Sequence, residues 1–132
     1  MKNTVFMALI LGAFVLTACG NGPTPASTDA PVPPDYAGLT NPLGSDAAVD
    51  GAQVFKNNCA ACHGPQGHGD GPAGAALNPQ PKNLAELQIV AGDDFLFWRI
   101  SEGVGGTSMI GWRGILTDEQ IWHLVSFIRT LK

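Results

Sequence analysis

Two cysteines and a histidine lie close together near the middle of the chain, as Cys59, Cys62 and His63. Two alanines separate the thiols, and the imidazole follows directly. This C-x-x-C-H spacing is the pattern of a c-type haem attachment site. In such a site each sulfur forms a thioether with a vinyl group of the porphyrin, and the histidine is the proximal ligand of the iron. The pattern predicts one covalent haem c, attached through Cys59 and Cys62, with His63 on the iron.

Three other chemistries use two cysteines at this spacing. The thiols could form a disulfide in an exported protein, or supply half of a zinc site or a thioredoxin-like redox pair. Zinc would need a second pair of ligands, and Cys19 is the only other cysteine. A thioredoxin-like pair would need a βαβ context, and no run of β-branched residues supplies one. The haem interpretation is favoured because it accounts for the full five-residue pattern.

On these residues, the chain from 45 to 132 resembles a class I monohaem cytochrome c. The resemblance implies an all-α fold in which three to four short helices wrap around the haem. It also implies a second axial ligand, a methionine on a loop before the last helix, and Met109 lies in such a glycine-rich loop. Met1 and Met7 belong to the export signal predicted below for the start of the chain, so Met109 is the candidate for the second axial ligand. Many members of this family have proline after the methionine, where this chain has Ile110.

The resemblance further implies a proline carbonyl that accepts a hydrogen bond from Nδ1 of the ligand histidine and so fixes its tautomer. Pro81 is predicted in this role, followed by Leu84 as a residue that packs on the haem. Pro72 and Pro79 are rivals that the sequence does not separate from Pro81.

Three helices are predicted around this site, over about residues 46–57, 93–102 and 118–131. Thr117 and Gln120 form a capping box at the start of the last helix. Gly51 and Phe55 share a face of the first helix because they are four residues apart. The resemblance implies that this face crosses the last helix.

Two further histidines are predicted not to bind the iron. His68 lies only five residues after His63 on a glycine-rich loop, from which the opposite haem face is out of reach, so a solvated side chain is expected. His123 falls in the polar stripe of the last helix, together with Ser126, and is expected at the surface.

The chain begins like an export signal, with Lys2 followed by an apolar run over residues 5–16. The next residues, ending at Cys19, resemble the lipobox of bacterial lipoproteins. The resemblance implies cleavage after residue 18 and acylation of Cys19. The predicted protein is therefore exported and anchored by lipid to a bacterial membrane, with the haem domain in the periplasm or outside the cell. Either membrane is compatible with the sequence.

Residues 19–44 contain six of the ten prolines among small and polar residues. Such a composition predicts a disordered, partly extended linker, because it buries too little apolar surface to fold. The predicted organisation is a signal peptide over residues 1–18, a lipid-anchored linker over 19–44 and a cytochrome c domain over 45–132.

Two protein axial ligands would leave no open position on the iron, so the predicted function is one-electron transfer in a bacterial respiratory or photosynthetic chain. A fixed subunit of a membrane oxidoreductase or terminal oxidase is the alternative, and a haem enzyme such as a peroxidase is disfavoured. Without residues 1–18 the chain has six basic and eleven acidic residues. This charge favours redox partners with basic docking patches. No basic stretch interleaved with aromatic residues suggests nucleic acid as a partner.

Overall fold

The computed structural model describes residue 28, residues 30–44 and residues 46–132. Five α-helices and one 3-10 turn occur in this part of the chain: α1 (Ala47–Asn58), α2 (Ala60–His63), the 3-10 turn (Gly74–Ala76), α3 (Leu84–Val90), α4 (Asp93–Glu102) and α5 (Asp118–Ile128). The described residues contain no β-strand, and a single isolated bridge joins Arg113 to Leu116. The all-α prediction is confirmed, and α2 and α3 add to the three helices expected from local patterns.

The scaffold is a crossing of α1 and α5. A Cβ atom placed on Gly51 would lie 1.9 Å from the carbonyl oxygen of His123 and 2.8 Å from Cβ of Phe127, so only glycine allows this approach. One turn later, the rings of Phe55 and Phe127 pack with their centroids 5.0 Å apart. The predicted crossing of the first and last helices is confirmed.

Helix α5 begins with the capping box that the sequence predicts. The backbone nitrogen of Gln120 donates to Thr117 Oγ1 over 3.2 Å, and the backbone nitrogen of Thr117 donates to Gln120 Oε1 over 2.9 Å. The helix ends at Ile128, earlier than predicted. Its continuation is a tighter turn, in which Thr130 and Leu131 donate to carbonyls three residues back.

Helix α4 ends at Glu102 and is followed by Gly103, which has a φ of +74°. A side chain is excluded there, because a Cβ atom would lie 2.5 Å from the carbonyl oxygen of Met109. The chain then runs through residues 103–116, which we call the distal loop, before α5 begins. The loop returns to the end of α4, where the backbone nitrogens of Trp112 and Arg113 donate to the carbonyl oxygens of Ile100 and Ser101.

Residues 30–44, which we call the strap, differ from the disordered linker expected for them. Val32, Tyr36 and Leu43 are partly buried against the hydrophobic core. The side-chain amide of Asn41 donates to the carbonyl oxygen of Trp122 over 3.2 Å and to Ser126 Oγ over 2.8 Å. A composition average misses this segment, because a few well-spaced apolar residues and one amide are enough to attach it.

The predicted signal peptide, residues 1–18, and the predicted acylation site Cys19 lie outside the described residues. The same holds for residues 20–27 and residue 29 of the predicted linker. Among the helices that are described, none combines the length and the apolar character needed to cross a lipid bilayer.

Candidate functional site

One cavity of about 260 Å³ is lined by residues from two segments of the chain. Cys59, Cys62 and His63 come from one segment, and Met109 comes from the other. Its walls come largely from the hydrophobic core, including Phe55, Leu84, Phe95, Leu96, Leu124 and Ile128. The cavity therefore combines two thiols, an imidazole and a thioether with an apolar lining. This donor set matches the covalent attachment and axial ligation of a haem.

The single turn of α2 positions the first three of these residues. The backbone nitrogens of Cys62 and His63 both donate to the carbonyl oxygen of Cys59, over 3.1 Å and 2.9 Å. Residues three and four apart then share a face of the turn, which brings both sulfurs and the imidazole to the cavity. The two cysteines are free thiols and not a disulfide.

The ionisation of Cys59 bears on the alternative of a redox-active dithiol. Burial, with a smaller contribution from the neighbouring Cys62, raises the pKa of the Cys59 thiol to about 12. Reactive cysteines in thioredoxin-like pairs have lowered pKa values, because the thiolate is the nucleophile. A thiol that stays protonated at neutral pH does not fit that chemistry.

The imidazole of His63 is oriented by a backbone carbonyl. Its Nδ1 lies 3.2 Å from the carbonyl oxygen of Lys82. Because a carbonyl can only accept, Nδ1 carries the proton and Nε2 keeps a free lone pair. Burial lowers the pKa of His63, against the opposing effect of the Lys82 bond. The neutral imidazole, which is the form that binds metals, is therefore favoured.

Lys82 corrects the prediction that Pro81 accepts this bond. The Pro81 carbonyl faces the backbone at Gly69, where a Cβ atom would lie 2.4 Å from its oxygen. The next carbonyl along the chain, that of Lys82, is the one that reaches His63. Pro81 itself still lines the cavity, as does Pro79. The proline pattern thus located the correct loop and missed the acceptor by one residue.

Met109 is held by bonds within the distal loop. Its carbonyl oxygen accepts from the backbone nitrogen of Val104 over 2.9 Å. Its backbone nitrogen donates to Thr107 Oγ1 over 3.1 Å, and that hydroxyl donates to the carbonyl of Val104. The side chain is half-buried at the cavity. These bonds fix the backbone at Met109 although glycines surround it.

Arg99 is a cavity residue that sequence reasoning missed. Its guanidinium carbon lies 3.9 Å from the centroid of the Trp98 ring and 5.3 Å from that of Phe95. Burial lowers its pKa, but an arginine remains charged at any physiological pH. The i, i+4 spacing of Phe95 and Arg99 on α4 was a usable signal, since it places both on one face. Arg99 and Lys82 are the two basic residues of the cavity lining.

The two remaining histidines lie away from the cavity. His68 is exposed, and its Nε2 lies 3.0 Å from the carbonyl oxygen of Lys132. His123 is not the surface residue that was expected. Its side chain is only 17% exposed, and its Nδ1 lies 3.0 Å from the carbonyl oxygen of Ala47. The close approach of α1 at Gly51 covers it, and Ser126 on the same predicted polar stripe is buried as well.

The family model described as Cytochrome c matches residues 48–132 of the chain, a range that contains all four cavity donors. A solved chain of the Kuenenia stuttgartiensis reducing HAO-like protein complex superposes with a TM-score of 0.62 and 22% identity, over 72% of this chain and 48% of that one. At this identity the superposition shows a shared fold.

Curated relatives fall into two groups. The Cbb3-type cytochrome c oxidase subunit FixPc of Rhizobium leguminosarum bv. viciae is 35% identical over 95 residues, which are 71% of this chain and 31% of that subunit. The subunit FixP of Azorhizobium caulinodans is 34% identical, over 68% of this chain and 29% of its own length. The chain thus spans about a third of these subunits. Cytochrome c6 of Thermosynechococcus vestitus is 33% identical, over 65% of this chain and 70% of its own.

Proposed function

The chain belongs to the cytochrome c family, and we propose that it holds its haem c through Cys59, Cys62, His63 and Met109. Its function is electron transfer by that haem. Each thiol would add across one vinyl group, forming a carbon–sulfur bond while its hydrogen goes to the other vinyl carbon. His63 Nε2, whose lone pair the Lys82 bond leaves free, would be one axial ligand. The observation that carries the proposal is that all four side chains line the same apolar cavity.

Met109 would be the second axial ligand. A thioether is a soft donor that favours the reduced iron and raises the reduction potential relative to a second histidine. Bound haem supplies an iron that changes its valence by one electron. With both His63 and Met109 bound to the iron, no open position would remain for oxygen, peroxide or substrate. This argument supports an electron-transfer protein and not a haem enzyme.

Arg99 and Lys82 fit the charges of the cofactor. A haem carries two propionates, and these carboxylates need cations or water when they are placed against an apolar wall. The Arg99 guanidinium already lies over two aromatic rings at the cavity, with no carboxylate partner among the described residues. We propose that Arg99 balances a propionate, with Lys82 as the second cation at the cavity.

A mobile one-electron carrier is the main candidate for the role of the whole protein. The similarity to cytochrome c6, of which the chain covers 70%, supports it. A fixed subunit of an oxidase is the second candidate, supported by the similarity to two Cbb3-type oxidase subunits. Without residues 1–18 the chain carries six basic and eleven acidic residues. A carrier of this charge would dock on basic patches, at rates that fall as salt rises.

The signal peptide and lipobox support a bacterial lipoprotein, anchored through Cys19 with the haem domain in the periplasm or outside the cell. Several acyl chains on one residue would bind a membrane firmly, at about 0.8 kcal/mol per buried CH₂. The Cys19→Ser variant tests this anchor. The parent should sediment with membranes and incorporate labelled fatty acid, and the variant should do neither. A variant that still sediments with membranes contradicts the anchor.

Native electrophoresis of gently solubilised membranes, followed by haem staining, separates the two candidates. A carrier is expected as a small haem-staining species that also oxidises and reduces several partners in salt-dependent reactions. Migration of most of the protein with a large oxidase complex, at all detergent concentrations that keep the complex intact, would support the subunit role instead.

A further inference from the structure

An ion pair joins the last residue of α4 to the returning segment of the distal loop. Glu102 is the last residue of α4, and Arg113 lies four residues after Met109. Arg113 Nε donates to Glu102 Oε1 over 3.0 Å. Beside this pair, the backbone nitrogen of Arg113 donates to the carbonyl oxygen of Ser101 over 3.0 Å. We call Glu102 and Arg113 the base of the distal loop, since the chain between them carries Met109.

Tyr36 of the strap contacts both members of this base. Its phenolic hydroxyl donates to Glu102 Oε1 and accepts from Arg113 Nη2, the latter over 3.0 Å. The Arg113 guanidinium carbon lies 5.5 Å from the centroid of the Tyr36 ring. The ring also packs on Phe97 of α4, with centroids 6.3 Å apart. The Tyr36 phenol therefore connects the end of α4 to the returning segment of the distal loop.

The ion pair alone is a weak restraint. The side chains of Arg113 and Glu102 are 50% and 48% exposed, and such pairs contribute little to stability because water screens them. The Tyr36 hydroxyl adds a hydrogen bond to each charged group and restricts both side chains to one arrangement. Within the loop, Gly105 and Gly106 have no neighbouring atom where a Cβ would stand. Packing at these two glycines therefore does not hold the loop, and the base adds a restraint to the hydrogen bonds that Met109 and Trp112 make.

The strap lies outside the range of the family match, which begins at residue 48. Tyr36 reaches Glu102 from 66 residues earlier in the chain. We propose that Tyr36 is a positioning residue that keeps the base of the distal loop closed and thereby slows the departure of Met109 from the iron. This inference rests on the proposed axial role of Met109.

Cyanide binding to the oxidised holo-protein measures that departure. Cyanide reaches the iron only after the thioether has left, so its saturating rate at neutral pH reports how often Met109 dissociates. Tyr36→Phe removes the hydroxyl and keeps the ring that packs on Phe97. The variant loses both exposed hydrogen bonds of the hydroxyl, and a combined loss comparable to one typical net hydrogen bond corresponds to a rate increase of roughly 2- to 10-fold. The weak red absorption band of methionine-ligated ferric haem should remain, because the ligand is only released more often.

Asn41→Ala is the matched control. Asn41 also attaches the strap, through bonds to Trp122 and Ser126 on α5. The cyanide rate should change less than about twofold in this variant, since the loss of these bonds leaves the base of the loop intact. Guanidinium unfolding of both variants measures how much stability each loses. The expected result is a faster cyanide reaction in Tyr36→Phe alone, whichever variant is the less stable.

Two results would overturn the inference while leaving Met109 as a ligand. One is a Tyr36→Phe protein with the parent's cyanide rate. The other is an equal acceleration in Asn41→Ala, which would mean that the strap acts through overall stability. A parent protein without the red band would overturn the proposed ligation, and this inference with it.

Discussion

Replacing Gly51 with alanine should strongly destabilise the folded domain. The new Cβ atom would lie 1.9 Å from the carbonyl oxygen of His123, and Cβ contacts below 3.0 Å are essentially never found. Helices α1 and α5 would therefore have to separate by about 1 Å, which loosens the contact between Phe55 and Phe127. The two nearest opposing atoms belong to the backbone of His123 and cannot move aside as a side-chain tip can.

The expected loss follows from two opposing effects. Overpacking of a core costs about 1–3 kcal/mol, and a rigid backbone contact belongs at the upper end of this range. Alanine gains about 1 kcal/mol over glycine in helix propensity. The net destabilisation should be about 2 kcal/mol, a large fraction of the stability of a small domain. In guanidinium the unfolding midpoint of the holo-protein should fall by roughly 0.5 M.

Gly44→Ala is the control for the same chemical change. A Cβ atom at Gly44 meets nothing within 4 Å, and its φ lies outside the left-handed region. This variant should be unchanged or more stable by about 0.4–1 kcal/mol, because alanine restricts the unfolded chain. Circular dichroism at increasing guanidinium concentration gives both values. If Gly51→Ala unfolds at the parent's midpoint, the helices do not cross at this distance and the reasoning is wrong.

Three further predictions concern the charges and the cap. Arg99→Gln should lower the reduction potential by a few tens of millivolts at most, because it removes a positive charge that is largely screened by water. Arg99→Lys keeps the charge and should preserve the potential, and a redox titration measures both variants. Burial and the Glu102 hydrogen bond raise the pKa of Tyr36, the only tyrosine, and Arg113 opposes them. Its ¹³C NMR titration should therefore lie above the ordinary value of about 10, and Glu102→Gln should lower it. The stability that the raised pKa contributes should be complete below about pH 10 and should be lost as the pH rises through the pKa of the folded state. In guanidinium unfolding, the stability of the parent relative to Tyr36→Phe should therefore decrease as the pH rises through that value. Thr117→Ala should cost about 1 kcal/mol in guanidinium unfolding, because it removes the hydroxyl that accepts from the backbone nitrogen of Gln120. An unchanged midpoint would contradict this.

The parts of this structure that depend on short-range spacing could be predicted from the sequence. The C-x-x-C-H pattern brings its three side chains to one face because a single helical turn does so by geometry. The capping box and the Gly51–Phe55 face are local patterns of the same kind. They locate the first helix and the start of the last one without any information on tertiary contacts.

Features that depend on how segments meet could not be predicted. The carbonyl that orients His63 is that of Lys82 and not of Pro81, since the direction of each carbonyl depends on the backbone angles of the loop. His123 belongs to a polar stripe on its own helix but is covered by α1. The strap attaches through Tyr36 and Asn41, whose partners are 66 and 81–85 residues away. A helical periodicity or a composition average contains no information about such distant contacts.

Ligation of the iron by His63 and Met109 can be measured from the optical spectrum of the holo-protein, oxidised and reduced, beside that of Met109→Ala. We expect a low-spin spectrum whose oxidised form has the weak red band of methionine ligation, and we expect the variant to lose this band. A high-spin spectrum in the parent, or a red band that survives in Met109→Ala, would contradict ligation of the iron by His63 and Met109.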